Sequence, residues 1–413
     1  MHCLYKTNLQ EFSHFFLACL IFMMNVNGNN FFHLKELFFI MFISTSLQYG
    51  DYRKLWNFIL MMILYLFSAT ANLISESSYR FSAAVYNLLG FIYLFLQVYE
   101  TPEYTRTIVR SFLFSAKVVA WMSLAIWILC MASPPIAAGL TFFFEMNKTD
   151  AAAFIFMIVR REILGFPFLR VYYCTAPCMI CALGYCLVVR FYSLKDENWF
   201  SVLLFSFGLL ISGARANILA VVLLNGAYIC LKLMQQKKLA RAFMIILAAG
   251  TASFVFLLMM LNEKSDSSIK VKTLHKISYM ELFDMHPYKT IFTGWGAGSE
   301  FYSKGFRKMT DTTELSFYET IRRYGVISTV MIFIFIWGRP VIFVLANRMP
   351  LVQKLFFSVM VISYIAVACT NPFLLGSIGF CSLIFIETVI YDFYRNKNLL
   401  RIEKKEYAHV PSR

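Results

Sequence analysis

The sequence predicts an all-α integral membrane protein of about twelve transmembrane helices, with one large loop outside the membrane between the ninth and tenth. Three observations carry this reading. Hydrophobic residues make up 59% of the 413 residues and charged residues only 15%, against about 25% charged in an average soluble domain. The apolar residues arrive in blocks of about 20, the length that crosses a bilayer core. Lys and Arg gather in alternate connections between the blocks, the asymmetry expected of cytoplasmic loops.

In chain order the expected spans are 12–27, 33–49, 55–74, 82–99, 111–131, 171–190, 198–213, 215–231, 242–261, 324–345, 355–371 and 374–391. With the N-terminus inside, the inside connections hold Arg53 and Lys54, Arg106 and Arg110, Arg190 and Lys195, Lys232, Lys237, Lys238 and Arg241, then Arg348 and Lys354. The short outside connections hold only Arg80 and Arg215. Both ends therefore fall on the cytoplasmic side. The first block runs into Asn25 to Asn30 rather than a small-x-small cleavage site, so it reads as a retained span. The whole chain, 1–413, is a single polytopic domain with a smaller outside loop at 132–170, a large one at 262–323 and a basic cytoplasmic tail at 392–413.

The step at 199–231 fixes the parity of everything after it. As one helix this apolar run is about 50 Å long, against about 30 Å of hydrocarbon. Ser212-Gly213-Ala214-Arg215 interrupts it, so a helical hairpin turning at Ser212-Gly213 is expected.

The net charge of +15 follows from this topology, and no nucleic-acid motif accompanies it. Of the ten cysteines, Cys174, Cys178, Cys181 and Cys186 share one apolar block. No His lies near them, so they read as small apolar residues and not as a metal site.

Arg215 is the most informative single residue. It sits between two short apolar helices, where a charge is costly and marks either a ligand or ion path or an arginine snorkelling to the headgroups. Arg160, Arg161, Arg170, Arg322 and Arg323 also lie outside, against the trend of the loop charges. Guanidinium groups grip phosphates bidentately and keep their charge, so this set points either to an anion at the outer membrane boundary, such as a lipid pyrophosphate, or to headgroup contacts and salt bridges. Gly294-Trp295-Gly296-Ala297-Gly298 exposes backbone and can form an anion-binding nest, or a plain turn. If residues 312–325 are helical, Glu314, Tyr318 and Arg322 share one stripe, and Glu314 is a candidate general base. Glu319 and Arg323 stand four apart and can pair. His275, His286 and Asp284 read as solvated loop residues.

Three stretches together resemble the O-antigen ligase and polymerase superfamily. Leu209-Leu-Ile-Ser-Gly-Ala-Arg-Ala-Asn-Ile-Leu219 is similar to its apolar-Ser-Gly-Ser-Arg-apolar signature, with Ala214 in place of the second Ser. The long outside loop runs through Pro287 into Gly294-Trp-Gly-Ala-Gly-Ser299, similar to its Gly-x-Gly-x-Gly segment. Glu314 to Gly325 follows in the expected position before the next span. The resemblance covers about residues 160–345. Ligase members carry His-Asn where this chain has Glu314-Leu315, which favours the polymerase (Wzy-type) branch.

The resemblance implies an inverting, metal-independent membrane glycosyltransferase without cofactor, in the bacterial inner membrane with its large loop periplasmic. It would transfer a growing glycan from undecaprenyl pyrophosphate to a lipid-linked repeat unit. Arg215 would bind the donor pyrophosphate, helped by Arg161, Arg170 or Arg322, and Glu314 would be the base. Membrane lipids, a chain-length regulator and a flippase are the implied partners. The competing readings are a ligase to lipid A–core and a lipid-linked oligosaccharide flippase. Against the flippase, charges within the spans are rare, Lys117, Lys35 and Glu36 standing near span ends.

Overall fold

The computed structural model describes residues 18–19, 34–46, 55–74, 81–98, 102–146, 156–163, 166–173, 175–191, 199–238, 240, 267–369 and 374–408. The expected span 242–261, and 12–27 apart from Ala18 and Cys19, lie outside the described residues.

The helices are α1 (Leu34–Ser46), α2 (Trp56–Ile74), α3 (Phe81–Ile92, extended by a 3-10 turn Tyr93–Val98), α4 (Pro102–Ala132), α5 (Pro134–Met146), α6 (Cys178–Phe191), α7 (Trp199–Ile211), α8 (Arg215–Gln235), α9 (Ser267–Met285), α10 (Pro287–Phe292), α11 (Ser316–Ile332), α12 (Arg339–Ala346), α13 (Leu351–Cys369) and α14 (Ser377–Ala408). Among the described residues five helical segments are long and apolar enough to cross a membrane: Thr105–Ala132, Arg215–Gln235, Ser316–Trp337, Leu351–Cys369 and Ser377–Arg395. Shorter apolar stretches accompany them at Trp56–Ala71, Asn87–Gln97, Pro134–Phe143, Cys178–Phe191 and Trp199–Ile211. The protein is thus a mostly helical membrane protein. At its centre α6 is buried along nearly its whole length, packed against α7, α8 and α13. The other helices turn large apolar side chains outward, among them Ile63, Leu203, Phe207 and Ile362.

The all-α expectation needs correcting in two places. Residues 156–173, expected as loop and span entry, form an antiparallel hairpin of β1 (Phe156–Ile163) and β2 (Phe166–Tyr173). Its β-branched and aromatic residues suit a strand. They alternate in two senses: Ile158, Leu169 and Val171 share one face and are buried. That face lies on α4 and α5, where Trp127 Nε1 donates to the Leu169 carbonyl at 3.1 Å. The leading part of the expected span 171–190 is therefore strand, and the helix begins only at Cys178. A smaller hairpin, β3 (Phe301–Ser303) with β4 (Lys308–Thr310), lies within the large loop.

Other boundaries also shift. The loop region 132–170 contains the apolar helix α5. The tail 392–413 does not start with a break, because α14 runs on to Ala408. The span expected at 324–345 is preceded by helix: α11 starts at Ser316 and kinks at Gly325, whose φ of 78° and ψ of 167° are non-helical. After a π-turn at Phe333–Trp337 the chain continues as α12.

The 199–231 run is two helices. Gly213 takes φ +57°, open to glycine at little steric cost, and the chain reverses there. Asn225 Nδ2 reaches Ser206 Oγ at 3.3 Å, and Trp199 meets Tyr228 edge to face at 5.9 Å. In one continuous helix Ser206 and Asn225 would lie about 28 Å apart.

Candidate functional site

The turn between α7 and α8 is built from its own polar side chains. The Ser212 hydroxyl, buried, donates to the Leu209 carbonyl at 2.5 Å and accepts from Asn217 Nδ2 at 2.9 Å. This ties the end of one helix to the first turn of the next. Arg170 on β2 closes over the turn: its Nε donates to the Ser212 carbonyl at 2.8 Å, and its guanidinium carbon lies 4.9 Å from the centre of the Tyr172 ring. A Cβ on Gly213 would stand 2.9 Å from the Arg170 side chain, so only glycine allows this approach. Arg215 is the first residue of α8 and is half-buried. By strand register, position 161 lies on the same hairpin face as position 170, and position 160 on the opposite one.

A second cluster surrounds Glu319. Its carboxylate accepts from Arg322 Nε at 3.1 Å and Nη2 at 2.5 Å, from Arg323 Nε at 2.5 Å and from the Tyr279 hydroxyl at 2.5 Å. Arg322 is fully buried. Its Nη1 donates to the Ser299 carbonyl and hydroxyl, and its second Nη2 hydrogen goes to the Asp311 carbonyl at 2.8 Å. All five guanidinium N–H groups are thus taken within the protein. Arg323, also buried, donates to Asn87 Oδ1 and to the Asp311 carbonyl at 3.0 Å. Burial first, and then the Glu319 charge, push the Tyr279 phenol far above its usual pKa, so it stays a donor.

The glycine segment caps the helix carrying these arginines. Trp295 N donates to the Arg322 carbonyl at 2.7 Å, and Gly296 N to that of Arg323 at 3.1 Å. Ser68 on α2 completes the join, donating to the Arg323 carbonyl at 2.7 Å and accepting from Ala297 N at 3.0 Å. Gly296 and Gly298 both take positive φ and are buried. The amides of residues 295–297 therefore serve the helix end and α2.

The structure brings together Tyr318, Arg322, Arg323 and Gly296, with Tyr318 stacked on Tyr279 at 5.8 Å. It sets Arg170 on the turn that leads into Arg215. Glu314 belongs to neither group. It precedes α11, so the expected stripe starts at Tyr318, and its half-exposed carboxylate pairs with Lys272 Nζ at 3.2 Å. His286 and Asp284 are exposed as expected, but His275 is not. It is fully buried, its Nδ1 lies 2.6 Å from Ser303 Oγ, and its ring meets Phe306 edge-on at 4.4 Å. Burial holds its pKa below the ordinary 6.5, with Glu314 opposing and Lys272 assisting.

Two features escaped the sequence reading: Glu319 as a hub rather than half of one pair, and Ser68 as the anchor of the glycine segment. Glu319 with arginines three and four positions on was a visible signal. Ser68 gave none, since its partners lie more than two hundred residues away. No family model, no curated protein and no solved structure matches this chain.

Proposed function

We propose that this chain polymerises undecaprenyl-pyrophosphate-linked repeat units into O-antigen or a related surface polysaccharide, on the periplasmic face of the inner membrane. The reaction is glycosyl transfer from a lipid-linked chain to a lipid-linked repeat unit. The topology that goes with it has twelve spans and both termini cytoplasmic.

The observation that carries this reading is the pair of guanidinium side chains at a recessed turn. Trp199 and Tyr228 meet at the far end of the α7–α8 hairpin, where Arg190 lies over the Trp199 ring at 4.0 Å and Lys232 over Phe191 at 5.4 Å. Aromatic and basic residues of this kind anchor a membrane boundary. From that level α7, 13 residues long, rises only about 20 Å in a hydrocarbon layer of about 30 Å. The Ser212–Arg215 turn then lies below the opposite boundary, and β2 brings Arg170 down to it. Two cations recessed there suit the pyrophosphate of a polyprenyl lipid, whose leaving charge they stabilise during transfer. The fully engaged Arg322 has the different task of fixing the loop above. Glu314 remains the candidate base, at the solvated edge with Lys272.

The paired ends of the helices support the sidedness. Asn57 donates to Gln97 at 2.9 Å, Gln97 to Glu387 at 2.6 Å, and Arg339 lies 3.9 Å from Glu387. The loop charges assign all four to cytoplasmic ends. Ser68, Arg323 and Ala297, which also touch, are assigned to periplasmic ends. Along α2 the two groups stand 11 residues, about 16 Å, apart.

The test is a gel of surface glycolipid from a strain deleted for the gene, complemented with the native chain or with Arg215→Ala at matched expression. Polymerase activity predicts that deletion leaves one repeat unit on lipid A–core and that Arg215→Ala does not restore the ladder. Complete loss of repeats with lipid-linked polymer accumulating means a ligase. Single lipid-linked repeats trapped inside mean a flippase.

A further inference from the structure

The segment 285–292 carries four large apolar side chains that the protein leaves uncovered. Met285, Tyr288, Ile291 and Phe292 are 66%, 79%, 42% and 54% exposed. Tyr288, Ile291 and Phe292 fall on one side of α10 by their spacing of three and one, and Met285 ends α9 just before the break at His286. Contiguous exposed apolar side chains of this kind mark an interaction surface.

Two contacts locate the segment against the apolar helices. On α11, a Cβ at Gly325 would stand 2.9 Å from the Phe292 carbonyl carbon, so α10 ends against the kink. Just past the kink Val326, Ile327 and Val330 turn outward. Past the kink the apolar helix runs on through Ile332 into the π-turn Phe333–Trp337. The kink is thus where the buried polar start of α11 gives way to outward-facing apolar side chains. On α2, Ser68 binds Ala297 in the segment that follows α10, and Ile63, Leu66 and Phe67 face outward in the turn before it. The end of α10 thus abuts the point where α11 turns Val326, Ile327 and Val330 outward.

We infer that 285–292 is an interfacial anchor, with Met285, Tyr288, Ile291 and Phe292 set into the outer leaflet at the headgroup–acyl boundary. A short amphipathic turn with aromatic and aliphatic side chains and a lysine, Lys289, is suited to that depth. The patch adjoins the outward apolar surface of α11 at Gly325, so its partner is the bilayer and not a second protein. The anchor holds the glycine segment, and through it the Arg322–Arg323 end of α11, at a fixed height over the membrane. This inference rests on membrane embedding alone and stands whether or not the chain is a polymerase.

The test uses the full chain with Tyr288→Trp, in phosphatidylcholine vesicles whose acyl chains are brominated either near the headgroup or near the terminal methyl. The fluorescence added over the native chain is expected to fall at least about twofold with the shallow bromines and by less with the deep ones. No quenching, or stronger quenching by the deep label, overturns the anchor. A second measurement needs no substitution. In protein-free lipid nanodiscs Met285 should oxidise several-fold more slowly than Met309, which is 50% exposed on β4; equal rates overturn the proposal.

Discussion

The two arginine clusters solve opposite problems. Around Glu319, two guanidinium groups share one buried carboxylate, and every N–H of Arg322 ends on a protein oxygen. At the α7–α8 turn, Arg170 spends its Nε on a backbone carbonyl, and Arg215 stands half-buried at a helix start. The first arrangement is closed and joins α2, α3, α9, the glycine segment and α11. The second stands at the turn between two apolar helices, where the proposed function gives it the pyrophosphate. A buried, saturated cation builds the fold, whereas the half-buried pair at the turn is the one assigned to the ligand.

The largest expected effect tests the closed cluster. Glu319→Gln leaves two buried guanidinium groups without their charge partner, which costs about 3–5 kcal/mol. Thermal unfolding and limited proteolysis of the purified chain should report it as a destabilised outer unit. Arg215→Ala should behave the other way. It should lower polymer formation by about 100-fold or more, the loss typical of one transition-state cation or donor, while the melting curve stays unchanged. Arg215→Lys keeps the charge but not the fork and should restore only part of the activity. If Glu319→Gln melts like the native chain, or Arg215→Ala unfolds it, the division between the two clusters fails.

A smaller effect is expected at the kink. Gly325→Ala forces a side chain into a left-handed φ and against the Phe292 carbonyl. A strained residue of this sort costs about 1–3 kcal/mol, read as a lower melting temperature with the glycine segment becoming protease-sensitive. The smallest effect is a pH dependence at His275. Its folded pKa lies below the unfolded value of 6.5, so the unfolded state binds the proton first. The contribution to stability is then complete above pH 6.5 and is lost as pH falls through the lower folded pKa. His275→Gln should flatten the acid limb of a stability–pH curve, and an unchanged limb would show that another group titrates there.

Local features were legible where the signal was local. Ser212-Gly213 marked the hairpin turn because a 33-residue apolar run overshoots the bilayer. Glu319 with Arg323 announced their ion pair by helical spacing. Residues 156–173 were harder. Their apolar content merges with the following helix, and only the alternation of Ile158, Leu169 and Val171 distinguishes strand from span. The burial of His275 depends on Ser303 and Phe306, about thirty residues on, and nothing near it in sequence indicates that. The glycine segment was expected to expose its backbone, but residues 294–299 are buried and the Trp295 and Gly296 amides turn to carbonyls on α11 that only the fold brings near.

The most direct measurement is polymerisation by the purified chain in nanodiscs, supplied only with lipid-linked repeat units and read as a ladder of lipid-linked products. The expected result is a ladder from the native chain, formed in the presence of a metal chelator and abolished by Arg215→Ala. Repeat units returned unextended by a folded native chain, or a ladder unaffected by Arg215→Ala, would contradict the assignment.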